Sequence, residues 1–198
     1  MGDFRKATSN SNDALKYVGK KFEKSGNNAK RQELIDNLFS NPQTVGGNKL
    51  YGFYETPEEL TQTAKVVDRL NAKSACCPNK EQGIEGLIYK QNGEIVPFSL
   101  KNLSTDSPHN AVNKIIENQK QIIGGVGEDL FGGVVKTGSN PNTIIDIEIK
   151  NISKQSMTNY LNSYPDKLNF STATYSEFYF ECKDGEILKL NKYGKIIN

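Results

Sequence analysis

The sequence predicts a mixed α/β fold, an α+β sheet with helical cover, and three observations carry the prediction. Helical apolar spacing recurs over residues 56–70, 107–124 and 153–161. Two pairs of apolar runs surround the turn dipeptides Asn92-Gly93 and Asp184-Gly185, the signature of hairpins. Strand-like runs at 131–135 and 143–149 lie between the helical stretches. The resulting order is helix, two strands, three times over, which suits a sheet with helices packed on it.

Taken in order, residues 1–12, with Ser, Asn, Asp and Lys and no apolar period, read as a disordered lead. Ala14, Leu15, Val18 and Phe22 share one helical face, giving a helix over 12–24. Leu34, Ile35, Leu38 and Phe39 give another over 29–40, and "SNPQTVGGN" at 40–48 reads as loop. Residues 1–50 are therefore an N-terminal lead and helical extension, and 51–198 the α/β domain.

Thr56-Pro57-Glu58-Glu59 is a helix start: a capping hydroxyl, Pro in the first position, and acids where the helix dipole is positive. Leu60, Ala64, Val67 and Leu70 continue that helix. Ser107-Pro108 opens the next, with Val112, Ile115, Ile116, Gln119 and Ile122 inward and Gly124-Gly125 as its stop. The terminal hairpin joins strands 175–182 and 186–190.

A chain of 198 residues with net charge +2 and mean hydropathy −0.62 fits one polar domain with a real core, with or without a small extension. That charge neither demands nor excludes nucleic acid, because a local basic groove suffices to bind phosphate. No apolar run is long enough to span a bilayer, no signal peptide opens the chain, and Lys6 stands where a myristoylation motif needs Ser or Thr. Three cysteines, two of them adjacent (Cys76, Cys77), argue for reduced thiols rather than a disulfide scaffold. With His109 the sole histidine and Cys182 remote, a zinc cluster lacks ligands.

The hairpin "GIEGLIYKQNGEIVPFSLKN" is apolar on both faces, so its polar residues need explaining. Ile95, Pro97, Ser99 and Lys101 share one face of the second strand. A two-residue turn at Asn92-Gly93 pairs Gln91 with Glu94 and sets Glu85 opposite Leu100, on the other face. A three-residue loop, Gln91-Asn92-Gly93, pairs Lys90 with Glu94 and sets Glu85 opposite Ser99. That loop needs a positive φ at its last residue, which Gly93 supplies. Glu85, Ser99 and Lys101 would then cluster. Hard oxygen ligands of this kind hold a divalent cation, and a neighbouring lysine stabilises charge on a phosphate.

These residues resemble the PD-(D/E)xK nuclease superfamily, in which a helix precedes a strand pair, the first strand brings an acid, and the second ends in acid-x-Lys. The resemblance covers residues 57–136 and implies a restriction-endonuclease-like core with helices flanking a central mixed sheet. It makes Glu85 the first acid and Lys101 the lysine, with Glu85, Ser99 and Lys101 catalytic. Ser99 stands where Asp or Glu is usual, which takes one charge from the metal site; some toxin members carry Ser-x-Lys. The family's first helix often adds an acid, for which Glu59 is the match and Asp68 another, so the metal set is Glu85, Ser99 and Glu59. The implied cofactor is Mg²⁺, Mn²⁺ or Zn²⁺. The implied activity is cleavage of phosphodiester bonds in DNA, with tRNA the other substrate.

Size and composition are also similar to the C-terminal toxin domains of contact-dependent growth-inhibition and related polymorphic toxin systems. That similarity implies a cognate immunity protein as partner, delivery by a larger secreted or surface protein, and action in the cytoplasm of a target bacterium. No membrane span is expected.

Other readings compete for the same residues. Glu85 and Lys101 also suit a plain cross-strand ion pair in a non-catalytic interaction module, such as an immunity or adaptor protein, and Ser99 suits a tight spot. A second literal match, Asp129 with Glu148-Ile149-Lys150, sits in "IIDIEIKN"; there Asp146, Glu148 and Lys150 alternate with isoleucines as in a half-solvated strand. His109 at a helix start suits a general base, a phosphate contact or a solvated loop. Gly124-Gly125-Val126-Gly127 follows a helix, so it reads as termination rather than a phosphate cradle. Lys114, Lys120 and Lys136 suit a phosphate groove or a solvated face.

Overall fold

The computed structural model describes residues 42–52, 54–77, 85–124, 126–128, 134–136, 143–168 and 175–197. The lead, the helices expected over 12–24 and 29–40, Asp129 and residues 131–133 lie outside the described residues. The expected α/β class is found: helices alternate with strands of a mixed sheet, part parallel and part antiparallel. The chain divides into two compact units, each described by itself. The first comprises residues up to Val96 together with Val126–Thr137, and the second comprises Pro97–Gly125 and Gly138–Asn198.

In the first unit the strand order is β1 (Gln43–Val45), β2 (Asn48–Gly52), β3 (Ala72–Cys77), β4 (Gly86–Lys90). β1 and β2 form an antiparallel hairpin over Gly46-Gly47, where a loop was expected, and the expected boundary at residue 50 falls inside β2. Gln43-Thr44-Val45, followed by Gly46-Gly47, carries too little apolar alternation to read as a strand. β2 runs parallel to β3, and α1 (Pro57–Arg69) crosses between them. The capping signals act as read: the Thr56 hydroxyl accepts from the Glu59 amide at 3.1 Å. The Glu59 carboxylate reaches back to the Glu55 amide at 2.9 Å, a reciprocal cap. Ala64, Val66 and Val67 of α1 are buried with Leu50 and Ala75 of the strands.

β3 was not expected. "AKSACC" alternates nothing, yet Ala75, Cys76 and Cys77 are all buried because β3 has β2 on one side and antiparallel β4 on the other. A small antiparallel pair, β6 (Val126–Glu128) with β7 (Val134–Lys136), completes this unit.

The second unit orders its strands β5 (Ile95–Leu103, whose first two residues fall to the first unit), β8 (Thr143–Ile149), β9 (Tyr175–Cys182), β10 (Ile187–Asn191) and β11 (Ile196–Ile197). β5, β8 and β9 are parallel; β9, β10 and β11 are antiparallel. α2 (Pro108–Gly124) links β5 towards β8, and α3 (Lys154–Ser163), capped by Ser153, links β8 to β9. α2 stops at Gly124, as termination by glycine requires.

β8 corrects the half-solvated reading. It is hydrogen-bonded on both edges, Asp146 is buried, and Glu148 is half-buried. Parallel strands in the middle of a sheet are covered on both faces, so the Asp-Ile-Glu-Ile alternation does not mark a wet side.

Candidate functional site

The turn of the central hairpin is the three-residue loop. The Lys90 amide donates to the Glu94 carbonyl at 2.9 Å and the Gly93 amide to the Lys90 carbonyl at 3.1 Å, with Gly93 at φ +85°. The Asn92 side-chain oxygen accepts from the Glu94 amide at 3.0 Å and stiffens the loop. The two-residue alternative is excluded, because it would pair Gln91 with Glu94.

Glu85 stands half-buried in the first unit, immediately before β4. Its position is set by backbone packing. A Cβ on Gly86 would meet the Cys76 carbonyl oxygen at 2.1 Å, and a Cβ on Gly52 would meet the Cys77 carbonyl oxygen at 2.1 Å. Only glycine lets β2 and β4 close on β3 there. The entry to β4 is thereby pressed against the end of β3.

Cys77 is the meeting point of this region. Burial first, and then Cys76, Glu59 and Glu85, push its thiol well above the ordinary range, against the opposing hydrogen bond from Tyr54. Glu59 from α1 and Glu85 from the head of β4 enter only as the smallest causes, after burial and Cys76. Burial and then the Cys77 thiol also raise the Tyr54 hydroxyl. On the opposite strand face, burial and then Cys76 raise Tyr89. Both hydroxyls are buried without a hydrogen bond of ordinary geometry; each faces a sulfur, which is a weak acceptor. Cys76 and Cys77 point to opposite faces, and all three cysteines are free and buried.

Ser99 and Lys101 belong to the second unit, so the four expected residues are divided two and two. Ser99 is fully buried, and its hydroxyl accepts from the Asn118 side-chain amide on α2 at 3.1 Å. Lys101 is half-buried, paired in register with Ile147 of β8. Asp68 is held by Asn48, whose amide donates to its carboxylate at 2.6 Å.

Two carboxylates of different elements suit Mg²⁺, which takes one or two protein carboxylates and keeps several waters. They fall short of a zinc cage: among the described residues, no group of three or more His, Cys, Asp or Glu is placed to hold a metal ion.

The rival set is described only in part. Glu148 accepts from the Asn102 amide at 2.8 Å, Lys150 is exposed past the end of β8, and Asp129 is not described. Lys114 pairs with Glu117 at 2.7 Å on an exposed helix face. The side chains of Lys120 and Lys136 lie outside those described. His109 begins α2 and contacts Tyr160 and Asn113.

Sequence reasoning passed over Cys77 and Tyr54, because a buried free cysteine is ordinarily a small hydrophobe. The one available signal was the pair of glycines, Gly52 and Gly86, in strand-like runs, which mark close backbone approach. No protein-family model, no curated protein and no solved structure matches this chain.

Proposed function

We propose that this protein is a metal-dependent nuclease acting on phosphodiester bonds of DNA or tRNA, a toxin domain neutralised by an immunity protein. The observation that carries the reading is the three-residue turn of the central hairpin, the turn that the register of the resemblance requires. A helix acid, Glu59, and an acid at the head of the first hairpin strand, Glu85, are what the family resemblance calls for. The element order adds support. From α1 the chain runs β3, β4, β5, α2, so that a helix precedes the Glu85 strand and another follows the Lys101 strand.

On this reading Glu85 and Glu59 would hold Mg²⁺ or Mn²⁺, which would supply Lewis-acid polarisation of the phosphorus–oxygen bond and a bound water of lowered pKa. Lys101 stabilises the transition state. Ser99, with its hydroxyl accepting from Asn118, assists through its position rather than its charge. The full burial of Ser99 favours the second reading, a non-catalytic interaction module in which Ser99 only fastens α2 to β5.

The deciding experiment incubates the protein with plasmid DNA and with total tRNA, with Mg²⁺, with Mn²⁺ or with EDTA. Cleavage that needs metal, lost in Lys101→Ala and in Glu85→Gln while both variants keep the wild-type melting temperature, supports the nuclease. Full activity in Lys101→Ala would remove the lysine from the mechanism. No cleavage of either substrate, together with no metal-induced rise in melting temperature, leaves the interaction module.

A further inference from the structure

His109, Tyr160 and Tyr164 make a row of rings on the second unit. His109 is exposed in the first turn of α2, Tyr160 lies in the last turns of α3, and Tyr164 caps that helix. The Asn113 amide nitrogen stands 2.9 Å from His109 Nε2 and is the donor there. Nε2 is therefore the acceptor, and Nδ1 carries the proton it donates to the Tyr160 hydroxyl at 3.0 Å. This holds the imidazole edge-on to Tyr160, with ring centres 6.2 Å apart and planes at 74°. Tyr164 continues the row, 4.9 Å from Tyr160 at 40°, and is 51% exposed.

The surroundings of the row narrow its partner. α3 carries no acidic residue from Lys154 to Ser163, and α2 has none in its first turn. Exposed amides stand there instead: Asn110 on α2, and Gln155, Asn159 and Asn162 on α3. Beyond the helix, Asp166 and Lys167 follow as adjacent opposite charges. A surface of aromatic faces and amide groups, with its helices almost free of carboxylates, admits a polyanion and matches the two faces of a nucleobase. Rings stack on the π-face and amides pair with the polar edge.

We propose that the α2–α3 face of the second unit binds an unpaired stretch of nucleic acid, with bases stacked on Tyr164 and on Tyr160, which His109 holds in place, and base edges read by the neighbouring amides. A duplex hides its base faces, so the ligand is a single strand or a loop. The inference rests on the nuclease reading only in taking that strand as the substrate; binding itself does not require cleavage.

The test is fluorescence anisotropy in EDTA, which stops any metal-dependent cleavage, with a labelled unstructured oligonucleotide of about 12 nucleotides. Tyr164→Ala is expected to weaken binding about 5- to 100-fold, the range of one lost stacking contact, and Tyr164→Phe to stay within about twofold. Tyr164 is exposed, so its truncation spares the core, and an unchanged melting temperature verifies this; Tyr160→Ala serves as the second variant. Unchanged affinity in both alanine variants overturns the proposal, as does equal affinity for a duplex of the same length or preference for a proline-rich peptide. Oligonucleotide binding without cleavage when Mg²⁺ is restored would remove the nuclease reading and leave this surface standing.

Discussion

The Asn118 side chain on α2 donates to the Ser99 hydroxyl on β5 at 3.1 Å, with both residues buried. This contact fastens a helix to the middle of a strand through a polar bond in an apolar layer. Such a bond contributes little when made and costs more when one partner is removed. Ser99→Ala is therefore expected to cost about 1–3 kcal/mol in urea unfolding, equally with and without Mg²⁺. A double-mutant cycle with Asn118→Ala should show about 0.5–1.5 kcal/mol of coupling. Additive effects would mean that the two side chains do not support each other.

Glu59 accepts from the Glu55 amide just ahead of α1, and on the proposed reading it is also a metal ligand. Glu59→Gln keeps an acceptor oxygen and removes the charge. The variant should lose no more than about 1 kcal/mol of stability, the size of a charge–helix-dipole effect. Its Mg²⁺-induced rise in melting temperature should shrink or vanish. A full metal response in Glu59→Gln would take that residue out of the cation site.

Glycines at two kinds of position separate backbone strain from collision. Gly93 has φ +85° and open space where a Cβ would go, so Gly93→Ala should cost about 1–2 kcal/mol by calorimetry and leave the fold intact. At Gly86 a Cβ would lie 2.1 Å from the Cys76 carbonyl oxygen, and backbone cannot swing aside as a side chain can. Gly86→Ala is expected to be insoluble or unfolded, judged by circular dichroism. Mild effects at Gly86 would show that β3 and β4 can separate without harm.

Alkali should destabilise the fold through its thiols. Burial pushes Cys76 up to about 12 and Cys182 up to about 11, from an ordinary 9.0. Below pH 9 these thiols are protonated in folded and unfolded chains alike, and stability does not depend on them. Above it the unfolded chain releases protons that the folded chain keeps. Stability then falls by about 1.4 kcal/mol per pH unit per thiol until the folded pKa is reached. Urea titrations from pH 8 to pH 11 should show that slope reduced in Cys76→Ala by one thiol's share. Native protein at pH 8 should also resist iodoacetamide until it is unfolded; fast alkylation of Cys76 or Cys77 would contradict their burial.

The local signals acted on short stretches, and their outcomes follow from backbone chemistry alone. Thr56-Pro57-Glu58-Glu59 caps a helix because the Thr56 hydroxyl satisfies the Glu59 amide and the Glu59 carboxylate ties down the Glu55 amide just before the helix. Gln91-Asn92-Gly93 closes a three-residue loop because glycine accepts a positive φ. Strands 143–149 and 175–182 were legible to the residue, since β-branched and aromatic runs leave few other choices.

Sequence by itself thus determined the α/β class, the caps, the turns and most element boundaries, all of which depend on residues within a few positions of one another. Tertiary structure decided the rest. Whether "AKSACC" is a strand depends on β2 and β4, which lie on either side of it. Whether Asp146 meets water depends on strands more than thirty residues distant. β2 and β4 close on β3 only because Gly52 and Gly86 carry no Cβ there. Burial and proximity are properties of neighbours brought from elsewhere in the chain, and no periodicity within a segment encodes them.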